Sequence, residues 1–452
     1  MVEDPVTRRN FLSAAATGTG AGFAALADPG TAAAQAVGVK KNDLPDLTIK
    51  QAKVYITDVT GLHRLNGEPG EIVALVTNSG IEGNYTLGNR DRTPGWLDWA
   101  KATLVGKNVI DLLPVLNATT GMQSLGGFNP RARTGGGVPR AGSTAALRPP
   151  TGINNFVSVP DRSGGLWPNF RAAAADVCLW DILGKAVDRP IYKLLGGTAD
   201  RMAAYASSQH LPFIEDYVPD ALKAKDAGYK GYKIHPGLGQ HKDGGSPIPS
   251  YVGHMEEIRQ VRKAVGDEFV LAHDPVQAYN RFEAMKVGRL LDELDYLWFE
   301  DPIRTTDLDG LVELAAALTV PLHVGEFISS ISDFAEYIRK GAVDVVRLIA
   351  DNVGGISGSM RVGLLADAFG LECTPHNWGN TFDLAVHFHL ELALPNAWWF
   401  EMPHPTEYAD RPYHKQKFRI DKDGYVLAPT EPGLGLPFDR DALDKMTKRI
   451  DT

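Results

Sequence analysis

The chain has 452 residues, 44% of them hydrophobic and 22% charged, with a formal net charge of −9. That is the make-up of an ordinary globular protein, long enough for one large domain or two. It contains no Lys/Arg-rich tract, which argues against a nucleic-acid partner. Its two cysteines, Cys178 and Cys373, can build neither a disulfide framework nor a thiolate metal site.

The first segment reads as an address rather than as structure. Arg8 and Arg9 precede Asn10, Phe11 and Leu12, and an uncharged stretch rich in Ala, Gly and Thr runs on to Ala27. Ala34-Gln35-Ala36 places small residues where a signal peptidase reads. Residues 1–36 therefore resemble a twin-arginine export signal. They are too Gly-rich and too weakly apolar for a membrane span. The expectation is a periplasmic or secreted protein with no membrane attachment once the signal is cleaved.

Next, LTIKQAKVYITDV and GEIVALVTNSG predict a pair of antiparallel strands. The polar, Gly-rich loop between them, GLHRLNGEPG, could close over a site. Helical segments are predicted over residues 96–104 and 109–116. Residues 126–155 are Gly-, Pro- and Arg-rich without apolar periodicity, and a loop that long is either disordered or functional. RAAAADVCLWDILGKAVDRPIYKLLGG then reads as a helix with a Gly stop. MAAYASS, GYKGYKIH, EFVLAHD, YLWFED, PLHVGEF, DVVRLI, LECTPH and AWWFEMP follow as eight short strands. Amphipathic stretches such as YVGHMEEIRQVRKAV and RFEAMKVGRLLDEL separate them. Eight strands alternating with helices predict an α/β fold, a (β/α)8 barrel of the TIM type. An open doubly wound sheet is the structural alternative, although the Gly-rich phosphate loop that such folds often carry is missing. The tail, FRIDKDGYVLAPTEPGLGLPFD, returns to strand-and-turn character.

Six side chains recur through the barrel segment at steps of 26, 26, 25, 25 and 25 residues: Asp274, Glu300, Glu326, Asp351, His376 and Glu401. Each sits at or just past the end of an apolar run. A strand, a return helix and two loops occupy about this much chain, so the spacing implies βα units that each deliver one polar group to the same strand end. One acid after a strand is usually a helix cap, but six in step are better read as a site at the C-terminal mouth of a barrel. Asp274, Glu300 and Glu326 offer three carboxylates on neighbouring strands, an all-oxygen set that suits Mg²⁺ rather than Zn²⁺. Such a cation can act as a Lewis acid toward a substrate carboxylate. Lys233 and His235 lie two apart on a strand and so share a face. His235, with an ordinary pKa of about 6.5, suits proton abstraction near neutral pH.

The helix AAAADVCLWDILGKAVDRPIYKLLGG, the acids in HDP, WFEDP and HVGEF, the Lys233-Ile234-His235 strand end, and Val353-Gly354-Gly355-Ile356 followed by Thr374-Pro375-His376 together resemble the enolase superfamily, in its mandelate racemase/muconate lactonizing enzyme-like branch. The resemblance covers roughly residues 46–440. It implies a modified barrel over residues 161–403 and an α+β capping domain over residues 37–160, completed by residues 404–452. The loop carrying His63 and Arg64 would then help to select the substrate. It also implies Mg²⁺-assisted removal of a proton next to a carboxylate.

Two positions depart from the family pattern. His235 stands where a second Lys is usual. Ile349 stands where an Asp usually pairs with the seventh-strand His, leaving Asp351, two residues on, as the candidate partner of His376. His376 is expected to act as a general acid or hydrogen-bond donor, and Glu401 to bond the substrate carboxylate or stabilise the intermediate. The preferred function is dehydration of a sugar acid, an aldonate or aldarate, by a carbon–oxygen lyase. Epimerisation, racemisation or cycloisomerisation on the same scaffold is the second reading, and an exported sugar-acid binding protein or pseudoenzyme the third. A small-molecule carboxylate partner and a homo-oligomer complete the expectations.

Overall fold

The computed structural model describes residues 44–58, 70–86, 93–113, 170–244 and 250–452. The export segment at residues 1–36, His63, Arg64 and the loop at residues 126–155 lie outside the described residues.

An antiparallel sheet opens the fold. Strand β1 (Ile49–Thr57) pairs with β2 (Gly70–Thr77), which pairs with β3 (Glu82–Thr86). β2 is buried along nearly its whole length, as a central strand must be, while β1 sends Lys50 and Gln51 to solvent. Helix α1 (Thr93–Thr103) packs on β1. Residues 109–113 are helical, and the remainder of that predicted helix lies outside the described residues.

The eight predicted strands form one curled parallel sheet: β4 (Arg201–Ser207), β5 (Gly231–Ile234), β6 (Val270–His273), β7 (Phe299–Glu300), β8 (Leu322–Val324), β9 (Val345–Val346), β10 (Glu372–Cys373) and β11 (Trp399–Pro403). Neighbours pair in sequence from β4 to β10, and β11 returns to pair with β4. Between β10 and β11, Cys373 N–H donates to Asn396 O (2.9 Å) and Asn377 Nδ2 donates to Glu401 O (2.9 Å), which bridges the seam. A helix follows each of the first seven strands, whereas β11 leads into a 3₁₀ turn at Thr406–Ala409. Among the described residues, β11 thus lacks the helix that follows each of the other barrel strands. The C-terminal tail divides between the two sheets: β12 (Tyr425–Leu427) pairs antiparallel with β4, and β13 (Thr447–Asp451) pairs antiparallel with β1.

Helix α2 (Phe170–Ala186) ties the sheets together through two buried acids. Asp181 accepts from Asn84 N–H on β3 (3.1 Å), from Leu434 N–H in the tail (2.9 Å) and from Lys185 (2.6 Å). Asp176 accepts from Ser357 N–H (2.9 Å) and Ser357 Oγ (2.6 Å), so it caps the start of the helix Gly355–Ala368, whose own cap residue, Gly354, has no side chain to offer.

Candidate active site

The barrel strands converge on a buried polar cluster at their C-terminal ends. Asp274 directly follows β6, Glu300 ends β7 and Glu326 lies two residues past β8. One carboxylate oxygen from each lies within 4.8 Å of the others, and all three residues are buried. The backbone bends sharply to deliver them. Val276 (φ 49°) and Gln277 (φ 62°) follow Asp274, and Asp301 (φ 30°) follows Glu300. A β-branched residue in that region is uncommon, and such strain collects at functional sites. Gln277 N–H donates to Asp301 O (2.7 Å), joining the two loops. Before Glu326, Gly325 takes φ +138°, and a Cβ there would sit 2.3 Å from Arg347 O. Only glycine lets the chain pass that close.

Two cations lie among the acids. Lys233 Nζ contacts Asp274 (3.0 Å), Glu300 (2.9 Å) and Glu401 (2.8 Å). Arg347, the residue after β9, contacts Glu300 (2.5 Å) and Glu326 (3.4 Å) through Nε, Glu401 (2.5 Å) through Nη2, and Tyr205 Oη (3.5 Å) through Nη1. Arg347 did not figure among the candidates from sequence. Its signal was a single Arg inside the apolar run VVRLI, since a buried charge requires a partner.

Four buried carboxylates thus face two fixed positive charges. Burial, with Arg347 opposing and the neighbouring Asp274 assisting, pushes Glu300 up to about 8. Burial and Asp274 push Glu326 up to about 8. Burial acts upward on Asp274 and Glu401 as well, but Lys233 with His235, and Arg347 with Lys233, outweigh it and hold these two well below the usual carboxylate range. Burial and Arg347 pull Lys233 down, yet Glu300 and Glu401 prevail and hold its ammonium well above its ordinary value. One divalent cation would supply the positive charge that full ionisation of this cluster lacks. An all-oxygen donor set of this kind fits Mg²⁺.

His235 Nδ1 lies 2.7 Å from Ser208 O, and a carbonyl only accepts, so Nδ1 carries the proton. Nε2 is the nitrogen facing the cluster, 2.8 Å from Asp274 Oδ2. Lys233 and His235 therefore do share a face. The Trp378 ring stands edge-on to His235 at 4.9 Å and walls it on one side. His376 lies 3.7 Å from Glu326 through Nε2, while Nδ1 accepts from Trp378 N–H at 3.4 Å. Burial and Arg347 hold His376 well below its ordinary value.

Two candidates are placed differently from expectation. Asp351 lies five residues past β9, inside the helical turn Ala350–Val353, and accepts from Tyr85 Oη on β3 (3.0 Å); the same hydroxyl lies 3.2 Å from Asp383. Its carboxylate is thus engaged with the N-terminal sheet, and the carboxylate at His376 is Glu326. Glu401 is saturated by Ser207 Oγ (2.7 Å) and Lys233 on Oε1, and by Arg347 and Asn377 N–H (2.9 Å) on Oε2. That leaves it an anchor for the two cations rather than a substrate ligand.

An acid-lined mouth on a parallel barrel, linked through Tyr85 to a sheet that pairs β1 with β13, defines a class of barrel enzymes that act on small molecules at the strand termini. Within that class the chain belongs to the enolase superfamily: the enolase C-terminal domain-like family matches residues 216–442. Similar proteins include arabinonate dehydratase of Saccharolobus solfataricus, 32% identical over 58% of this chain and 68% of that protein. L-talarate/galactarate dehydratase of Salmonella typhimurium is 31% identical over 59% of this chain and 63% of that protein. The D-glucarate dehydratase from Agrobacterium tumefaciens, solved in complex with magnesium, superimposes with a TM-score of 0.66 at 26% identity, covering 90% of this chain and 100% of that one. The relatives are sugar-acid dehydratases, which are hydro-lyases, and enzymes of this superfamily typically use Mg²⁺. Among the described residues no helix is long and apolar enough to cross a membrane.

Proposed function

We propose that the protein is a Mg²⁺-dependent dehydratase of an aldonic or aldaric acid. The observation that carries the reading is the carboxylate triad with His235 Nε2 and Lys233 Nζ facing it. Asp274, Glu300 and Glu326 would hold Mg²⁺, which when bound offsets the charge that develops on the substrate carboxylate. Nε2 of His235 approaches Asp274 Oδ2 at 2.8 Å as a donor. With Asp274 turned to the metal and that proton lost, His235 Nε2 would take the proton from the carbon next to the carboxylate, and the electron pair of that C–H bond would pass into an enediolate. Lys233 is held charged by its carboxylate neighbours, so it stabilises the enediolate oxygen rather than acting as a base. The enediolate then forms a carbon–carbon double bond and expels the β-hydroxyl. His376 hydrogen-bonds that hydroxyl, which leaves as water with the proton first taken by His235. The enol so formed becomes a 2-keto-3-deoxy acid. The placement of Asp351 argues against a second strong base at His376, as racemisation would require.

The test is a screen of purified protein with Mg²⁺ against aldonic and aldaric acids, with 2-keto acid detection and parallel NMR in D₂O. A keto acid from one substrate supports the reading. Deuterium incorporation without a keto acid moves the activity to epimerisation, and silence in both with Mg²⁺ bound rejects catalysis. We also propose twin-arginine export, on the strength of Arg8, Arg9 and the Ala34-Gln35-Ala36 site. Replacing both arginines with lysine should trap the protein in the cytoplasm, and an unchanged distribution rejects export by this route.

A further inference from the structure

Arg347 takes no part in the proton transfers above, yet it is wholly buried and touches three carboxylates from three strands. Two of them, Glu300 and Glu326, belong to the triad; the third, Glu401, does not. The two triad acids come from separate elements, Glu300 from the end of β7 and Glu326 from the loop after β8. Glu300 has further contacts with Lys233, Trp298 Nε1 (3.2 Å) and His323 Nδ1 (3.3 Å). Glu326 is held more loosely, by Arg347 at 3.4 Å and His376 at 3.7 Å. Asp274 lies beyond Arg347's contacts and is fixed by Val276 N–H (3.0 Å), His235 and Lys233. Glu300 and Glu326 both meet the single N–H of Nε while Nη2 bonds Glu401, and the rigid, planar guanidinium fork fixes these two nitrogens relative to each other, where a Lys supplies only a point charge. The far side of the barrel anchors the fork, because Nη2 bonds Glu401, which Ser207 and Asn377 hold in turn.

We propose that Arg347 is a positioning residue of the metal centre: it holds Glu300 and Glu326 in the spacing that a divalent cation requires. The inference rests on the reading of Asp274, Glu300 and Glu326 as Mg²⁺ ligands. It opposes a simple charge argument, under which removal of a neighbouring positive charge would strengthen cation binding.

The experiment is calorimetric titration of the full chain with MgCl₂, for the unaltered protein, Arg347→Met and Arg347→Lys, with melting curves in EDTA alongside. The unaltered protein binds Mg²⁺; if it does not, the metal reading itself fails, independently of Arg347. Arg347→Met is expected to bind about tenfold or more weakly, the usual scale for loss of a residue that orients metal ligands. Arg347→Lys, which keeps the charge but not the fork, should recover part of that loss. Equal or tighter binding by Arg347→Met overturns the proposal, as does a lowered melting temperature with an unchanged Kd, since that is what a purely structural residue would give. Should Arg347→Met fail to fold, Arg347→Lys carries the test: a folded variant with weakened Mg²⁺ binding supports the proposal, and one with an unchanged Kd overturns it.

Discussion

The two sides of the barrel mouth are built differently. On the β6–β8 side the acids arrive within two residues of the strand end, the backbone is strained to aim them, and their oxygens meet. On the β9–β10 side the residue that arrives is Arg347, and the acid of the periodic series, Asp351, has moved into a helical turn and bonds Tyr85. The first side concentrates negative charge, as the proposed Mg²⁺ site requires. The second supplies a positive charge and a link to the N-terminal sheet. The lesson is that a constant spacing along the chain need not mean a constant offset from the strand end, and the offset decides what faces the site.

The largest expected effects test this difference directly. Glu300→Gln keeps the shape but removes a charge from the triad, and kcat/KM should fall by about a thousandfold, the scale of several kcal/mol of lost transition-state stabilisation. Asp351→Asn, equally conservative and equally in step with the series, should leave kcat/KM within about threefold, since its carboxylate serves the sheet contact. Comparable losses in the two variants would abolish the distinction. A smaller effect separates the two histidines. Either His235→Asn or His376→Asn should slow dehydration by about a hundredfold or more, but exchange of the α-proton with D₂O should vanish only in His235→Asn. Exchange lost in both would place a base at His376 and restore a two-base mechanism.

These contrasts also show what the chain made legible. The apolar runs located all eight barrel strands, because strands covered on both faces read as short hydrophobic segments. The triad was legible because each acid lies at the end of such a run or within two residues of it. Arg347 was missed because it lies inside a run and the series comprised only acids and a histidine. Asp351 was misplaced because β9 is two residues long and ends at Val346, so the matching step overshoots into the following turn. The saturation of Glu401 depends on Ser207, Lys233, Arg347 and Asn377, which come from four separate segments, and no local pattern signals that convergence.

The contact between α2 and the barrel should respond to pH. Burial, against the hydrogen bonds from Ser357, pushes Asp176 up to about 7 from an ordinary value of 3.8. Between those two values the folded protein keeps a proton that the unfolded chain has released. This residue's contribution to stability therefore falls as pH rises from about 4 to about 7 and is level above that. Asparagine cannot ionise, so the urea midpoint of Asp176→Asn relative to the unaltered protein should rise across the same window. Other titrations common to both proteins cancel in the comparison. A constant difference from pH 4.5 to pH 7.5 would mean that the helix N-terminus keeps Asp176 ionised throughout, with the charge–dipole attraction winning over burial.

The smallest effect is expected at the link between the N-terminal sheet and the β9–β10 side. Tyr85 Oη lies within hydrogen-bond distance of both Asp351 (3.0 Å) and Asp383 (3.2 Å) but has one proton to give. Burial pushes Asp383 up to about 6, and a protonated Asp383 would donate to Tyr85 Oη while that hydroxyl donates to Asp351, so that both contacts persist. Asp383 also caps the helix Thr381–Ala393 by accepting from Asn380 N–H (2.8 Å), four residues after His376, so the hydroxyl joins β3 to the loop that carries His376 and Trp378. Tyr85→Phe removes that bond while keeping the ring packed edge-on to Phe382. It should cost about 1–2 kcal/mol of stability, the scale of one buried hydrogen bond to a carboxyl group. Because the proposed metal site on the β6–β8 side is fixed by its strained loops, Lys233 and Arg347, Mg²⁺ affinity should stay unchanged in the variant while KM rises modestly. If Mg²⁺ affinity falls along with stability, the Tyr85 link also reaches the β6–β8 side, beyond the coupling that Arg347 supplies, and the division drawn between the two sides fails.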